Sequence, residues 1–331
     1  MQCNEVETTF LHCGKSDFTF EQSSTALILA YDVYYPHIPY LMDSNLFNPK
    51  LTVIVAVYNN PRWLRLILDA LCSQHLHSLK PEEIEIVIAD DGSSEENVSL
   101  LRHYMNDIHP EKNIIHAWHA DEGWRKNIAL NNALRSSKGE YVVFVDGDCI
   151  PHPEFLEDHW RLRKPGVVMG GRRIESGKAV TEMIESWDEL PKNYFSLVRK
   201  CVVKNILTDK SASPLAQIRR SIRFPFIFGS PIGLKSQGIL GANFGIYRRD
   251  LERVNGFDER YLDPGTGEDC DLDVRLANAG IRHLKASHYA LMVHRHHNRL
   301  DWSSERNAEF YRQARENKIT YVEKGLRHSD L

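Results

Sequence analysis

Apolar and polar positions fall into a regular pattern from residue 51 onward. LTVIVAVYN (51–59) is a dense β-branched run, the pattern of a strand buried on both faces. Pro61 then sits at the first turn of a helix, where its missing N–H is no loss, and Trp63, Leu64, Ile67, Leu68 and Leu71 share one face. IEIVIA (84–89) predicts a second strand, ending in Asp90-Asp91-Gly92-Ser93-Ser94. A polar helix follows, then a third strand near 114–118. Residues 125–137 predict a helix with Gly139 as its stop, and YVVFV (141–145) a fourth strand. Strands alternating with helices predict an α/β protein with a doubly wound, mainly parallel sheet.

The alternation loosens after Pro153. Residues 167–171 predict a strand leading into Gly171-Arg172-Arg173, and 178–236 has mixed, mainly helical periodicity. A strand is expected at 241–248, a short helix at 250–255, and a longer helix at 268–279 ended by Gly280. Residues 283–293 read as one last strand-like run, followed by His294, His296 and His297. The organisation expected is an N-terminal extension (1–50), a ligand-binding half (51–177), a basic insert (178–236), a second site-forming half (237–300) and a helical tail (301–331).

Bulk composition narrows the function without naming it. The chain has 331 residues and a formal charge of −4, which argues against a general nucleic-acid binder. Six scattered cysteines show no C-x-x-C and no zinc spacing, so reduced thiols are expected. The N-terminus lacks a basic region followed by an apolar core, and no apolar run is long enough to span a bilayer. The expectation is a cytoplasmic protein.

Candidate chemistry centres on YVVFVDGDCIP (141–151), where Asp146 and Asp148 flank a glycine at a strand's C-terminal end. Open α/β sheets bind ligands there, and paired carboxylates offer hard oxygen ligands to Mg²⁺ or Mn²⁺, with a substrate diphosphate completing the shell. Taken alone, D-x-D is explained better by a solvated Asp-Gly turn. Four acidic clusters are harder to explain so: Asp90-Asp91, Asp121-Glu122, Asp146/Asp148 and Glu268-Asp269. Three follow successive strands of one sheet and should meet on one rim. Asp271 and Asp273 read as solvated or capping positions on the helix that follows Glu268-Asp269.

VIVAVYNN, ADDGS, DEGWRKNIALNNAL and GEYVVFVDGDCIPHPEFLEDH resemble the nucleotide-sugar half of a family 2 glycosyltransferase. GANFGIYRRDLERVNGFDERY and GEDCDLDVRLANAG resemble the acceptor half shared with galactosyl- and N-acetylgalactosaminyltransferases. The resemblance runs from about residue 51 to 299. It implies the GT-A fold with a smaller acceptor-binding region, a UDP-sugar donor, and a glycan or lipid-linked saccharide acceptor. It places the nucleoside near Val57, Tyr58, Asp91 and Asp121, and makes Asp146 and Asp148 the family's D-x-D. Asp148 is then the direct metal ligand, while Asp146 contacts ribose or the metal's water. A late histidine is often the third ligand; His294 fits best, with His296 and His297 as rivals. Imidazole suits Mn²⁺ better than Mg²⁺. Asp269 becomes the base for inverting transfer and Glu268 an acceptor hydrogen-bonding group. Arg172 and Arg173 serve equally as diphosphate ligands or as solvent-facing residues.

The resemblance also has departures. Thr266 stands where the family often carries an acceptor-stacking tryptophan, and Trp124 where phenylalanine is usual. Basic residues of 199–235, interleaved with Phe224, Phe226, Ile227 and Phe228, would suit peripheral contact with the inner face of an anionic membrane. The rival reading is a non-catalytic nucleotide-sugar-binding module of the same fold. A dinucleotide-binding oxidoreductase is excluded by Tyr58-Asn59-Asn60-Pro61, which stands where G-x-G-x-x-G belongs.

Overall fold

The computed structural model describes residues 48–206, 221–224, 234–235, 238, 241–265, 268–286, 288–297 and 304–327. Most of the expected N-terminal extension, and 207–220 and 225–233 of the basic insert, lie outside these residues.

β1 (Leu51–Val57) leads through α1 (Pro61–Cys72) to β2 (Ile84–Asp90), then α2 (Glu95–His103), β3 (Ile114–Trp118), α3 (Lys126–Ser136) and β4 (Tyr141–Asp146). The four strands pair in parallel in the order β3-β2-β1-β4. The chain winds outward from β1 through β2 to β3, then crosses back to lay β4 on β1's other edge. That reversal opens a crevice at the C-terminal ends of β1 and β4.

Strand periodicity explains why both sheet faces are covered. Leu51, Val53, Val55 and Val57 of β1 join Tyr141, Val143 and Val145 of β4 in a core beneath α1. Ile54, Val142 and Phe144 point the other way, into a core shared with Ala129, Leu130 and Ala133 of α3. Burying each such large side chain stabilises the fold by about 1.5–3 kcal/mol. The expected apolar face of α1 is buried in full, Trp63, Leu64, Ile67, Leu68 and Leu71 included.

The same sheet continues beyond β4. β9 (Asn243–Tyr247) pairs antiparallel with β4, and β6 (Val167–Gly170) antiparallel with β9. β10 (Arg282–Ala286) runs parallel to β6, and β8 (Leu234–Lys235) edges it antiparallel. A second, three-stranded sheet has the order β5-β11-β7, from β5 (Cys149–Pro151), β11 (Leu291–His294) and β7 (Arg172–Glu175). Among the described residues the remaining α-helices are α4 (Phe155–Leu162), α5 (Lys178–Glu185), α6 (Tyr194–Ile206), α7 (Arg248–Glu252), α8 (Glu268–Asn278) and α9 (Glu305–Glu316). The mixed α/β architecture and its mainly parallel sheet are as expected. No helix among the described residues is long and apolar enough to cross a membrane.

Three local expectations are corrected. The single strand read at 283–293 is two, β10 and β11, in different sheets. The chain turns between them at Ala290, whose φ is +49°. Asp158 accepts the Ala290 N–H at 2.9 Å, and Asn243 donates to its carbonyl at 2.8 Å. Those tertiary bonds hold a left-handed residue that local sequence would not choose. Gly139 does not stop α3, which already ends at Ser136. A Cβ there would lie 2.5 Å from the Thr52 hydroxyl, so the glycine permits close approach to β1. Asp271 is neither solvated nor a cap: it is buried and pairs at 2.7 Å with the buried guanidinium of Arg275.

Within the basic insert, Arg223 is withdrawn from any membrane-facing surface. Its guanidinium donates twice to Asp158, at 2.9 and 2.7 Å, and also pairs with Glu154. Arg199, Lys200 and Lys204 on α6 are exposed.

Two histidines, His159 buried and His152 half-buried, make the fold sensitive to acid. Burial lowers His159 to about 4 against a hydrogen bond to the Asn243 side-chain oxygen, and burial aided by Arg223 lowers His152 to about 3. Because these values lie below 6.5, the unfolded chain takes up the protons first. Their contribution is therefore complete above about pH 6.5 and is lost as pH falls toward the folded values. His159→Gln removes one of them. Urea denaturation should show the stability of the wild type relative to this variant dropping by about 2 kcal/mol between pH 7 and pH 5. A difference independent of pH would contradict the assignment.

Candidate active site

The loops after β1, β2, β3 and β4 converge on the crevice described above. Asp90 is consumed in building it: one carboxylate oxygen accepts the Ser93 N–H at 2.8 Å, and the other meets His116 at 2.8 Å. Asn59, at φ +44°, ties the loops of β1 and β2 together, since its N–H reaches Ser93 and its side chain accepts from Ser94. Gly92 has φ +85°, and a Cβ there would lie 2.5 Å from the Asp121 Cα. Only glycine lets the β2 loop pack so closely against the β3 loop. Likewise a Cβ on Gly147 would lie 2.6 Å from the Ala56 carbonyl, so the D-G-D turn folds tightly over the end of β1.

The result is a cavity of about 240 Å³ lined by Val57, Tyr58, Asp91, Trp124, Lys126, Asp146 and Asp148 among others. Tyr58 is 53% exposed, and its hydroxyl donates to Asp121 at 3.0 Å. Asp121 also accepts the Gly123 N–H at 3.0 Å. Asp91 receives the Arg125 N–H at 2.9 Å on one oxygen, at the N-terminal end of α3. Its other oxygen faces the His119 Nε2 at 3.3 Å. Burial lowers the basicity of His119, but Asp91 and the Ala120 carbonyl outweigh it and hold the ring above its ordinary value. A larger cleft of about 600 Å³ lies between α1, the turn after α2 and residues 189–194. Its Asp69 and Tyr104 hydrogen-bond one another, and it shares no residue with the acidic rim. Chemistry, not volume, singles out the smaller cavity.

Asp148 meets the late histidines. His294 Nε2 lies 3.2 Å from one Asp148 oxygen, and His297 Nε2 lies 3.5 Å from the same oxygen. The Cys149 thiol donates to the other Asp148 oxygen at 3.2 Å. One ligand atom from each of Asp148, Cys149 and His294 falls within 4.8 Å of the others. His296 is instead held through its N–H on the Thr181 hydroxyl, and the Arg295 N–H donates to the Asp148 carbonyl. Of the three rivals, His294 and His297 reach Asp148.

Electrostatics show what this cluster favours. Burial would raise Asp148, yet His294, Cys149 and His297 pull it down to about 2. Burial would lower His294, yet Asp148 and Glu175 carry it up to about 9. Burial likewise pushes the Cys149 thiol well above its ordinary range, so it is no ready anionic ligand. The pocket thus already stabilises one positive charge between two carboxylates. A divalent cation needs the same environment, and an oxygen–imidazole donor set fits Mn²⁺.

Asp146 pairs with Lys126 Nζ at 2.9 Å. Arg173 shares the β7 face of Glu175, bonds it at 3.0 Å, and feels the charge of Asp146. Arg172 alternates to the opposite face of that strand. Asp269 lies in the first turn of α8 and accepts the Gly241 N–H at 3.2 Å. A Cβ on Gly241 would sit 2.8 Å from the Asp269 Cβ, so G-A-N packs its backbone onto that carboxylate. Two residues on, Asn243 donates to the Arg172 and Ala290 carbonyls, which links this segment to the small sheet. The side chain of Glu268, like Thr266, lies outside the described residues.

Sequence reading overlooked Lys126, His119 and Glu175. Lys126 carried a signal, because a basic residue opening a helix opposes the helix dipole and needs an acidic neighbour. The other two become visible only when strands are paired.

The sequence model described as "Glycosyl transferase family 2" matches residues 52–251, and one described as "N-terminal domain of galactosyltransferase" matches 230–298. Validoxylamine A glucosyltransferase of Streptomyces hygroscopicus subsp. limoneus is 26% identical over 70% of this chain and 49% of its own length. The poly(ribitol-phosphate) β-N-acetylglucosaminyltransferase TarS of Staphylococcus aureus is 29% identical over 33% of this chain and 18% of its own. The chain therefore spans about half of the first relative's length and less than a fifth of the second's. A mannosyltransferase of Pyrobaculum calidifontis, solved with GDP-Man and Mn²⁺, aligns with a TM-score of 0.49 at 20% identity, covering 76% of this chain and 59% of that one.

Proposed function

The chain belongs to glycosyl transferase family 2, and from that premise we propose that it transfers a hexose or N-acetylhexosamine from a UDP-sugar to a glycan or lipid-linked glycan in surface polysaccharide assembly. The observation that carries this reading is the meeting of Asp148 and His294 beside the cavity that holds Asp91, Tyr58 and Asp146. The relatives named as a glucosyltransferase and an N-acetylglucosaminyltransferase support the sugar class.

In this reading Asp91 accepts the imide N–H of uracil in exchange for its contact with His119, and the exposed ring of Tyr58 bounds the base. Asp146, held by Lys126, reaches the ribose. Asp148 and His294 would hold Mn²⁺ or Mg²⁺, which supplies Lewis-acid neutralisation of the diphosphate. Asp269 accepts the proton of the acceptor hydroxyl as its oxygen bonds to the anomeric carbon. The carbon–oxygen bond to the diphosphate breaks and UDP leaves, with inversion. The place of action is the cytoplasm, at an anionic membrane surface met by Arg199, Lys200 and Lys204. Flotation with vesicles containing anionic lipid, and not with neutral ones, would support that contact.

UDP release from a panel of UDP-sugars, with and without Mn²⁺, tests the reading. One donor should turn over, and only with metal. Asp269→Asn should leave slow donor hydrolysis within about threefold while lowering transfer to an added acceptor by about 10²–10⁴, the usual worth of a positioned base. If no UDP-sugar binds or turns over with metal present, the proposal fails.

A further inference from the structure

The small sheet sets a carboxylate behind the histidine that faces Asp148. β11 lies between β5 and β7, and its last residue, His294, stands opposite Cys149 on one side and opposite Glu175 on the other. Registered cross-strand neighbours bring side chains within reach of one another. Here the reach is used: His294 Nδ1 lies 2.9 Å from Glu175 Oε2, while Nε2 lies 3.2 Å from Asp148. Glu175 keeps its other oxygen, Oε1, for Arg173, whose Nε donates to it at 3.0 Å. Arg173 thus orients the carboxylate, and the carboxylate orients the ring.

We infer that Glu175 is a positioning residue for His294, fixing the ring so that Nε2 is the nitrogen presented to a divalent cation at Asp148. The inference rests on the metal-assisted reading above. Metal-binding imidazoles generally donate their second ring nitrogen to a carboxylate or carbonyl, which sets the tautomer and raises the basicity of the ligating nitrogen. In this chain a single strand register supplies that partner. A Glu175 that served only Arg173 would have no reason to place its second oxygen on Nδ1.

The test is Mn²⁺ binding to the full chain by calorimetry, with Mn²⁺ alone and with UDP, repeated by electron paramagnetic resonance of free Mn²⁺. Glu175→Ala should weaken Mn²⁺ binding about 10–100-fold, the usual cost of losing such a partner. Glu175→Gln keeps an amide oxygen that can accept from Nδ1, so its loss should be smaller; it also serves if the alanine variant melts early. In turnover, the Mn²⁺ concentration for half-maximal rate should rise in step with the dissociation constant. The rate at saturating Mn²⁺ should change much less, and a merely structural role would not divide the two. Mn²⁺ affinity within about twofold of wild type in both folded variants overturns the inference and leaves the proposed function standing. A wild-type chain that binds no Mn²⁺ with UDP sinks the metal reading and this inference together.

Discussion

Replacing Asp148 with alanine is expected to lower metal-dependent donor turnover by about 10²–10⁴, the equivalent of several kcal/mol of lost stabilisation of the departing diphosphate. The expectation follows from position. Asp148 contacts His294, His297 and Cys149 together, and it ends the strand-and-turn segment beside the crevice. Its depressed carboxyl, at about 2, marks it as an anion throughout the physiological range. Asp148→Asn keeps shape and loses charge, so a similar loss there would assign the effect to charge. His294→Ala should approach the Asp148 variant. His297→Ala should cost less, since that ring stands farther from the carboxylate and is half exposed. Steady-state UDP release at several Mn²⁺ concentrations measures all four. Full activity of a folded Asp148→Ala protein would overturn the assignment.

The second large effect concerns stability. Arg275→Ala should destabilise the fold by about 3–5 kcal/mol, because it strands a buried charge. The Arg275 guanidinium is wholly buried and donates to Asp271 at 2.7 Å and to the Val254 and Gly256 carbonyls at 2.7 and 2.9 Å. Without it the two carbonyls lose their donor, and Asp271 is left buried beside the like charge of Asp258. A melting-temperature drop of about 4–7 °C is the readout for a chain of this size. Pairing the change with Asp271→Leu should recover much of the loss, since apolar replacement of a buried ion pair is often neutral or better. A single variant that melts like the wild type would show the pair to be dispensable.

Much of this arrangement is legible in the amino-acid sequence. The β-branched runs at 51–59, 84–89 and 141–145 signalled the buried strands found at Leu51–Val57, Ile84–Asp90 and Tyr141–Asp146, because burial on both faces leaves a local, continuous apolar trace. Pro61 and the apolar stripe behind it announced α1 for the same local reason. Asp91, Asp121 and Asp146/Asp148 could be expected on one rim, since parallel strands put their C-terminal ends on one side. Asp271 could not be read correctly. Its spacing to Arg275 also suits a solvated helix face, and only packing of the 254–256 turn against α8 removes the water. Nor could the strand break at Ala290 be seen, because its left-handed turn is held by Asp158 and Asn243 from distant segments.

By itself, then, the sequence determined the parallel core, the rim of carboxylates and the family, all of which depend on patterns within a few residues of one another. The tertiary structure decided which histidines face Asp148, that Glu175 stands behind His294, and that Arg173 rather than Arg172 shares its face. Those outcomes depend on how β5, β11 and β7 register across the small sheet. A slip of one residue there would turn His294 to the opposite face, and no local periodicity along the chain specifies that choice.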